Sequence, residues 1–319
     1  MNHLLLIVAV PALVAATVFA ARAQHQHRQI YSLQYPVQMK RTQQMQEKII
    51  TDCMTVWTEG EGHLYYKSRN NDPTVCGIYI IAKPEQTVHV YFDFMDVPCN
   101  MGGLIAFVDG WELNGQLFPN ELDHQLPIED RFFEMCGSKK PKQVFKSSQN
   151  AALIQYRVPR RDSGFSFYVS VVNNPTPCNI LLEGLTDVYT LRNYGKHVNC
   201  SLTTLYPAQV KILSLGVGLG KEQKRTLTEQ ETGTIHKCEK MGLPDFVQVG
   251  GGDGLGQLSV VDSVCGTNSE PESSTKTIIC GVTTVRLVSS GQFHNAVTVA
   301  MRPADIDAEP TLVCELPQQ

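Results

Sequence analysis

The stretch Thr87-Val88-His89-Val90-Tyr91-Phe92-Asp93-Phe94 alternates without a break. Val88, Val90, Phe92 and Phe94 fall on one side; Thr87, His89, Tyr91 and Asp93 fall on the other. A repeat of two residues is the signature of a strand with one dry and one wetter face, since a helix repeats every ~3.6. The pattern returns in Phe165, Phe167, Val169 and Val171 against Ser166, Tyr168 and Ser170, and again in Val297, Val299 and Met301. Turn-forming clusters punctuate these runs: Asn70-Asn71-Asp72-Pro73, Asn173-Asn174-Pro175 and Gly250-Gly251-Gly252-Asp253-Gly254. Short strands, regular turn signals and no long helical period predict an all-β chain built as antiparallel sandwiches, not βαβ units.

The order of features occurs twice. Cys53 and Cys76 are spaced almost as Cys178 and Cys200 are. After Cys76 come Lys83-Pro84, an alternating strand, Cys99, then Leu104 to Val108 and Asp109-Gly110. After Cys200 come Tyr206-Pro207, Val210 to Leu215, Cys238, then Asp245 to Val249 and Gly250-Gly251. The simplest account is two copies of one unit joined near Asn173 to Pro177. The expected organisation is a leader over 1–23, a polar segment over 24–50, one domain over 51–173, a second over 174–303, and a tail over 304–319 tied back by Cys314.

The leader reading rests on Leu4 to Ala20, apolar and uncharged, followed by Ala21-Arg22-Ala23 with small residues where a signal peptidase reads them. Removal after Ala23 and a secreted, extracellular product are expected. In 24–50, Met39, Met45 and Ile49 have roughly helical spacing, and the His25/His27 pair reads as solvated.

Composition bounds the function. The chain has 319 residues, 42% hydrophobic and 18% charged, with a net charge of −4. That is globular, and it gives no electrostatic case for nucleic acid. Lys139-Lys140-Pro141-Lys142 reads as a solvated loop. Ten cysteines include no CxxC pair, which excludes zinc knuckles and redox dithiols. An even count in an exported chain reads as five disulfides, with connectivity open at this point. Arg161-Asp162-Ser163-Gly164 is not a nucleophile elbow, Gly216 to Lys221 is not a phosphate loop, and no HExxH exists. No enzyme is expected.

The run from Cys76 to Pro84, then Cys99 and a strand ending Asp109-Gly110, resembles a CUB module. More specifically, Val108-Asp109-Gly110-Trp111, Phe118-Pro119, Asp123-His124-Gln125-Leu126-Pro127 and Ser147 to Ala151 resemble one family. Pro177-Cys178-Asn179, Asn199-Cys200-Ser201, Tyr206-Pro207, Asp245-Phe246-Val247 and Arg286 to Gly291 extend the resemblance to about Cys53 through Cys314. The chain is similar to the corticotropin-releasing factor-binding protein family. The resemblance implies two disulfide-stapled CUB-like antiparallel β-sandwich (jelly-roll) domains. It implies a secreted glycoprotein that sequesters corticotropin-releasing-factor-like, or diuretic-hormone-like, peptides and so limits receptor activation. The alternative is a CUB-type protein-interaction module or protease-accessory protein. The resemblance also implies consecutive pairing: Cys53–Cys76, Cys99–Cys136, Cys178–Cys200, Cys238–Cys265 and Cys280–Cys314.

Asn199 heads the one sequon without a central proline, and glycosylation is expected there. No calcium or other cofactor is expected. Asn100 to Leu104 lacks an acid, though Asp96 and Asp109 flank it, and Asp245 has no carboxylate partner on Val210 to Leu215. The expected partner is a helical peptide of the corticotropin-releasing class, with neither nucleic acid nor membrane. An apolar groove with charged edges suits such a ligand. Trp57, Trp111, Phe132 and Phe133 are the candidate contacts, with Lys48 and Asp52 as rim charges, although core packing competes for every one of the aromatics. The stretch Gly218 to Lys237, with Lys221, Lys224 and Arg225, reads as a protease-sensitive loop.

Overall fold

The computed structural model describes residues 46–184, 187–218, 233–269, 275–305 and 307–314. The expected leader, His25, His27, Met39, Met45, Lys221, Lys224 and Arg225 lie outside the described residues. The described residues form one compact unit that holds two β-sandwiches.

The first sandwich contains β1 (Gln46–Ile50), β2 (Met54–Trp57), β3 (Gly62–Lys67), β4 (Cys76–Ile81), β5 (Gln86–Asp96) and β6 (Leu104–Asp109). It continues with β7 (Trp111–Leu113), β8 (Gln116–Phe118), β9 (Phe132–Met135), β10 (Phe145–Lys146), β11 (Ala151–Arg157) and β12 (Gly164–Asn173). One sheet has the order β1-β3-β12-β5-β10 and the other β2-β4-β11-β6-β9, while β7 and β8 form a separate hairpin. Between the sheets lie Trp57, Leu64, Ile78, Val90, Phe92, Phe107, Ile154 and Phe167, all buried. Burial of this apolar face drives the sandwich together, at about 25 cal/mol per Å² removed from water.

The second sandwich contains β13 (Asn179–Leu182), β14 (Asp187–Arg192), β15 (Cys200–Thr204), β16 (Ala208–Val217), β17 (Gly233–His236) and β18 (Phe246–Gly252). It ends with β19 (Ser259–Asn268), β20 (Lys276–Ile279), β21 (Val282–Val288), β22 (Ala296–Pro303) and β23 (Leu312–Val313). Its two sheets repeat most of the strand order of the first unit. The run β13-β15-β21-β18-β19 corresponds to β2-β4-β11-β6-β9, and β14-β22-β16-β20 to β3-β12-β5-β10. Even the parallel first pair recurs, in β2 with β4 and in β13 with β15. Here the two sheets are also joined, because the ends of β16 and β19 pair.

Three details depart from the sequence reading. Phe94 is 53% exposed, whereas its neighbour Met95 is buried. A bulge opposite Ser166 and Phe167 skips Asp93 and reverses the faces beyond it. Ile49 stands not on a helix but in β1, which pairs parallel to β3 and buries Ile50, so the sandwich begins before residue 51. Finally, 233–236 is not loop but strand β17, paired to β19.

Each cysteine is bridged to its next neighbour in the chain: Cys53–Cys76, Cys99–Cys136, Cys178–Cys200, Cys238–Cys265 and Cys280–Cys314. The first bridge of each unit ties the residue before the outer parallel strand to the start of the next strand. The fifth holds the tail, whose β23 pairs with β20.

The sandwiches meet through the outer face of the β4-β11-β6 sheet. Tyr79, Ile81, Val108 and Leu153 there are covered by Trp111 and Phe118 of the hairpin and by Leu181 and Leu255 of the second unit. Asn150 locks the joint: its Nδ2 donates to the carbonyls of Ala82 and Leu181, and its Oδ1 accepts from the Leu181 amide. The hairpin bends at Gly110, at φ 123°, where a Cβ would stand 2.1 Å from the Phe118 carbonyl oxygen.

Candidate functional site

The six residues singled out in the sequence separate in space. Trp57 is 1% exposed and belongs to the core, its Nε1 donating to the Gly60 carbonyl at 2.8 Å. Lys48 Nζ lies 5.8 Å from the centre of that ring, so it caps the core tryptophan rather than a ligand. Asp52 is exposed, and its carbonyl accepts from Thr55 Oγ1. Trp111 is buried at the joint, its ring 4.4 Å from that of Tyr79. Neither tryptophan offers its face to solvent. Burial overrides the usual preference of tryptophan for interfaces here.

Phe132 and Phe133 are different. They lie on β9, at the edge of their sheet, and line an open groove of about 640 Å³ with Met135, Pro141, Lys142 and Phe145. The groove is the open side of the sandwich, between the edge strands β9 and β10 of its two sheets. Phe133 is 42% exposed, with its ring 6.3 Å from Phe107 and 5.7 Å from Phe145. Phe132 turns to the opposite face and packs on the joint cluster. Exposed Glu134 and Lys142 flank the apolar floor. Lys140 Nζ donates to Tyr91 Oη at 3.0 Å and covers that ring.

A second, polar cavity of about 230 Å³ lies at the joint, lined by Asp123, His124, Gln149, Asn179, Tyr194 and Lys196 among others. Its walls are bound to one another. Gln149 Oε1 accepts from the Cys178 amide and from Asn174 Nδ2, and Asn179 Nδ2 donates to the Asp123 carbonyl. Asn120 Oδ1 accepts from the amides of Leu122 and Asp123, which sets the loop that presents Asp123 to Arg286. Burial pushes the Asp123 carboxyl pKa up, and the Arg286 guanidinium opposes that rise without cancelling it.

No nucleophile relay is assembled around the buried carboxylate beside this cavity. Asp109 accepts from the Ser148 amide and hydroxyl, and His124 Nε2 stands 3.3 Å from Asp109 Oδ2. The acid therefore lies between serine and histidine, whereas a relay needs the histidine in the middle. Asp245, the acid considered for calcium, accepts from the Ser290 amide at 3.0 Å, the Ser290 hydroxyl at 2.6 Å and Asn295 Nδ2. Among the described residues no three His, Cys, Asp or Glu side chains gather as a metal site. Asn199 Nδ2 donates to the Leu122 carbonyl at 3.2 Å, and Ser201 of its sequon is buried, its hydroxyl on Asn179 Oδ1.

Two family models match the chain: the corticotropin-releasing factor binding protein N-terminal domain over residues 49–173 and the C-terminal domain over 182–308. The chain belongs to the corticotropin-releasing factor binding protein family. It is 33% identical over 229 residues to the corticotropin-releasing factor-binding protein of Ovis aries, covering 71% of this chain and 68% of that one. Against the Homo sapiens protein the identity is 32% over the same coverage. Against that of Xenopus laevis it is 30% over 234 residues, 73% of this chain and 71% of the relative. Among solved structures, the CUB1-EGF-CUB2 domains of rat MASP-1 align at 13% identity and a TM-score of 0.27, covering 78% of this chain and 99% of theirs. The extracellular region of zebrafish Gpr126/Adgrg6 aligns at 12% identity and a TM-score of 0.29, covering 81% and 34%. The family matches fall one on each sandwich, so the groove of β9 belongs to the N-terminal family domain and Arg286 to the C-terminal one.

Proposed function

We propose that this protein is an extracellular binding protein that captures peptide hormones of the corticotropin-releasing factor class, diuretic-hormone-like peptides included, and so keeps them from their receptors. The observation that carries this reading is the pair of family matches over 49–173 and 182–308, which together take in both sandwiches. Five bridges and no free cysteine among the described residues suit an oxidising, extracellular setting.

The groove of Phe133, Met135 and Phe145 is the docking region this reading prefers. It is the one place where a sequence-selected aromatic is both exposed and set in a concave apolar surface with charges at its rim. Lys48, Asp52, Trp57 and Trp111 fall outside it. The test is calorimetric titration of the secreted protein, bridges verified by mass mapping, with synthetic corticotropin-releasing factor. Saturable binding is expected. Absence of heat at micromolar peptide, with every bridge intact, overturns the reading.

A further inference from the structure

The two repeats differ at one edge. In the second unit the outer edge of β19 is occupied by β17, which pairs through Gly233↔Thr267, Thr234↔Gly266, Ile235↔Cys265 and His236↔Val264. Among the described residues the equivalent strand of the first unit, β9, pairs with β6 alone. Connection length explains the difference. The second unit spends residues 218–245 between β16 and β18, long enough to lay down β17 on the way. The first spends only 97–103 between β5 and β6, and these turn through a short 3-10 segment, Cys99–Met101. The fold therefore accepts one more strand at this position, and the first unit does not supply it from that connection.

The uncovered edge is also the wall of the groove. Glu134 and Phe133 are exposed on β9, and the 141–145 stretch forms the opposite wall. A strand laid beside β9 would sit between the walls. Every second side chain would point toward Phe133, Met135 and Phe145, the face that points into the sandwich mouth. Exposed Lys142 at the rim favours a carboxylate on the incoming strand.

We propose that β9 takes up an extended stretch of the bound peptide as an added strand. The stretch carries apolar residues at alternate positions with a carboxylate beside them, and main-chain hydrogen bonds supply the attachment. The proposal rests on the peptide-binding reading and adds its mode: strand addition in the place that β17 fills in the second unit. It divides the ligand into a paired extended stretch and a remainder free to keep another conformation.

The test uses the full secreted chain with synthetic corticotropin-releasing factor. Hydrogen exchange of the 132–136 amides should slow at least tenfold on binding. A scan in which single peptide amides are N-methylated should weaken affinity at least tenfold at alternate positions of one short stretch, and not between them. Phe133→Ala should weaken binding, and Lys142→Glu should weaken it further for the unmodified peptide. Unchanged exchange at 132–136 and a flat methylation scan, with binding and the Phe133→Ala loss still present, overturn strand addition and leave the peptide-binding reading standing. No binding of the unmodified peptide removes both. A dimer that forms without peptide and protects the same amides assigns the edge to a second copy of the chain and overturns the proposal.

Discussion

Arg286 Nε donates to Asp123 Oδ1 at 2.7 Å, and the two side chains are 14% and 6% exposed. They come from different sandwiches, so this buried pair is the charged latch of the joint. Removing one partner strands the other charge in a low-dielectric seam. Arg286→Ala should therefore destabilise the protein by about 3–5 kcal/mol, read as a lowered denaturant midpoint. Exchange should quicken first at amides around Leu181 and Asn179. A change below about 0.5 kcal/mol defeats the latch.

The same pair gives a pH signature. Burial raises the Asp123 carboxyl pKa in the fold, and Arg286 only partly opposes it. A raised folded-state value means the contribution is fully present below the unfolded carboxylate pKa of about 3.9 and is lost as pH rises through the displaced one. Asp123→Asn lacks that titration. The unfolding free energy of the wild type minus that of the variant should fall as pH rises above the unfolded carboxylate value of about 3.9, followed by urea denaturation. A difference that grows with pH refutes the assignment.

Arg131 is fully buried and donates to three carbonyls: Nε to Asp109, Nη1 to Pro119 and Nη2 to Phe118. It holds the β7–β8 hairpin against the sheet from which Trp111 covers the joint. A lysine keeps the charge but not the planar fork. Arg131→Lys should cost about 2–4 kcal/mol while every bridge still forms. Loss of the Trp111 near-UV dichroic signal should accompany it. Wild-type stability in this variant would show that the three carbonyls do not need the guanidinium.

Alternation in the sequence located β5, β12 and β22, because a buried face writes itself as a period of two. The order of prolines, cysteines and glycines displayed the repeat, because equivalent strands need equivalent stops. Phe94 misled because a bulge is a property of two paired strands, and its partner Ser166 is distant in the chain. The Arg286–Asp123 latch was invisible for the same reason, although Asp123 stood within a conspicuous motif. Residues 233–236 read as loop because β17 is short and polar, and only the edge of β19 makes it a strand. Trp57 and Trp111 show the limit for sites: a large aromatic fits a core and an interface equally well, and burial alone separates the two uses.

Those aromatics can be separated in one experiment. Trp57→Ala empties a fully buried site and should destabilise by about 3–5 kcal/mol. Phe133→Ala trims a ring that is 42% exposed and should cost about 1 kcal/mol. For peptide affinity, measured well below either unfolding transition, the order should reverse: at least a tenfold loss for Phe133→Ala and little change for Trp57→Ala. Equal affinity losses would move the docking region away from the groove.

The bridges also fix what a protease can release. Three lie wholly before residue 219, joining Cys53–Cys76, Cys99–Cys136 and Cys178–Cys200, and two wholly after 232, joining Cys238–Cys265 and Cys280–Cys314. A cut within 219–232, at Lys221, Lys224 or Arg225, therefore severs no covalent link except the backbone. The fragments would still share a sandwich, since β15 pairs with β21 and β16 with β22 across the cut. After limited trypsin treatment the two pieces should elute together in gel filtration without denaturant. They should run apart on a denaturing gel without reductant. A nicked product that stays a single band on that gel would require a bridge joining the two sides, contrary to the pairing in the structure.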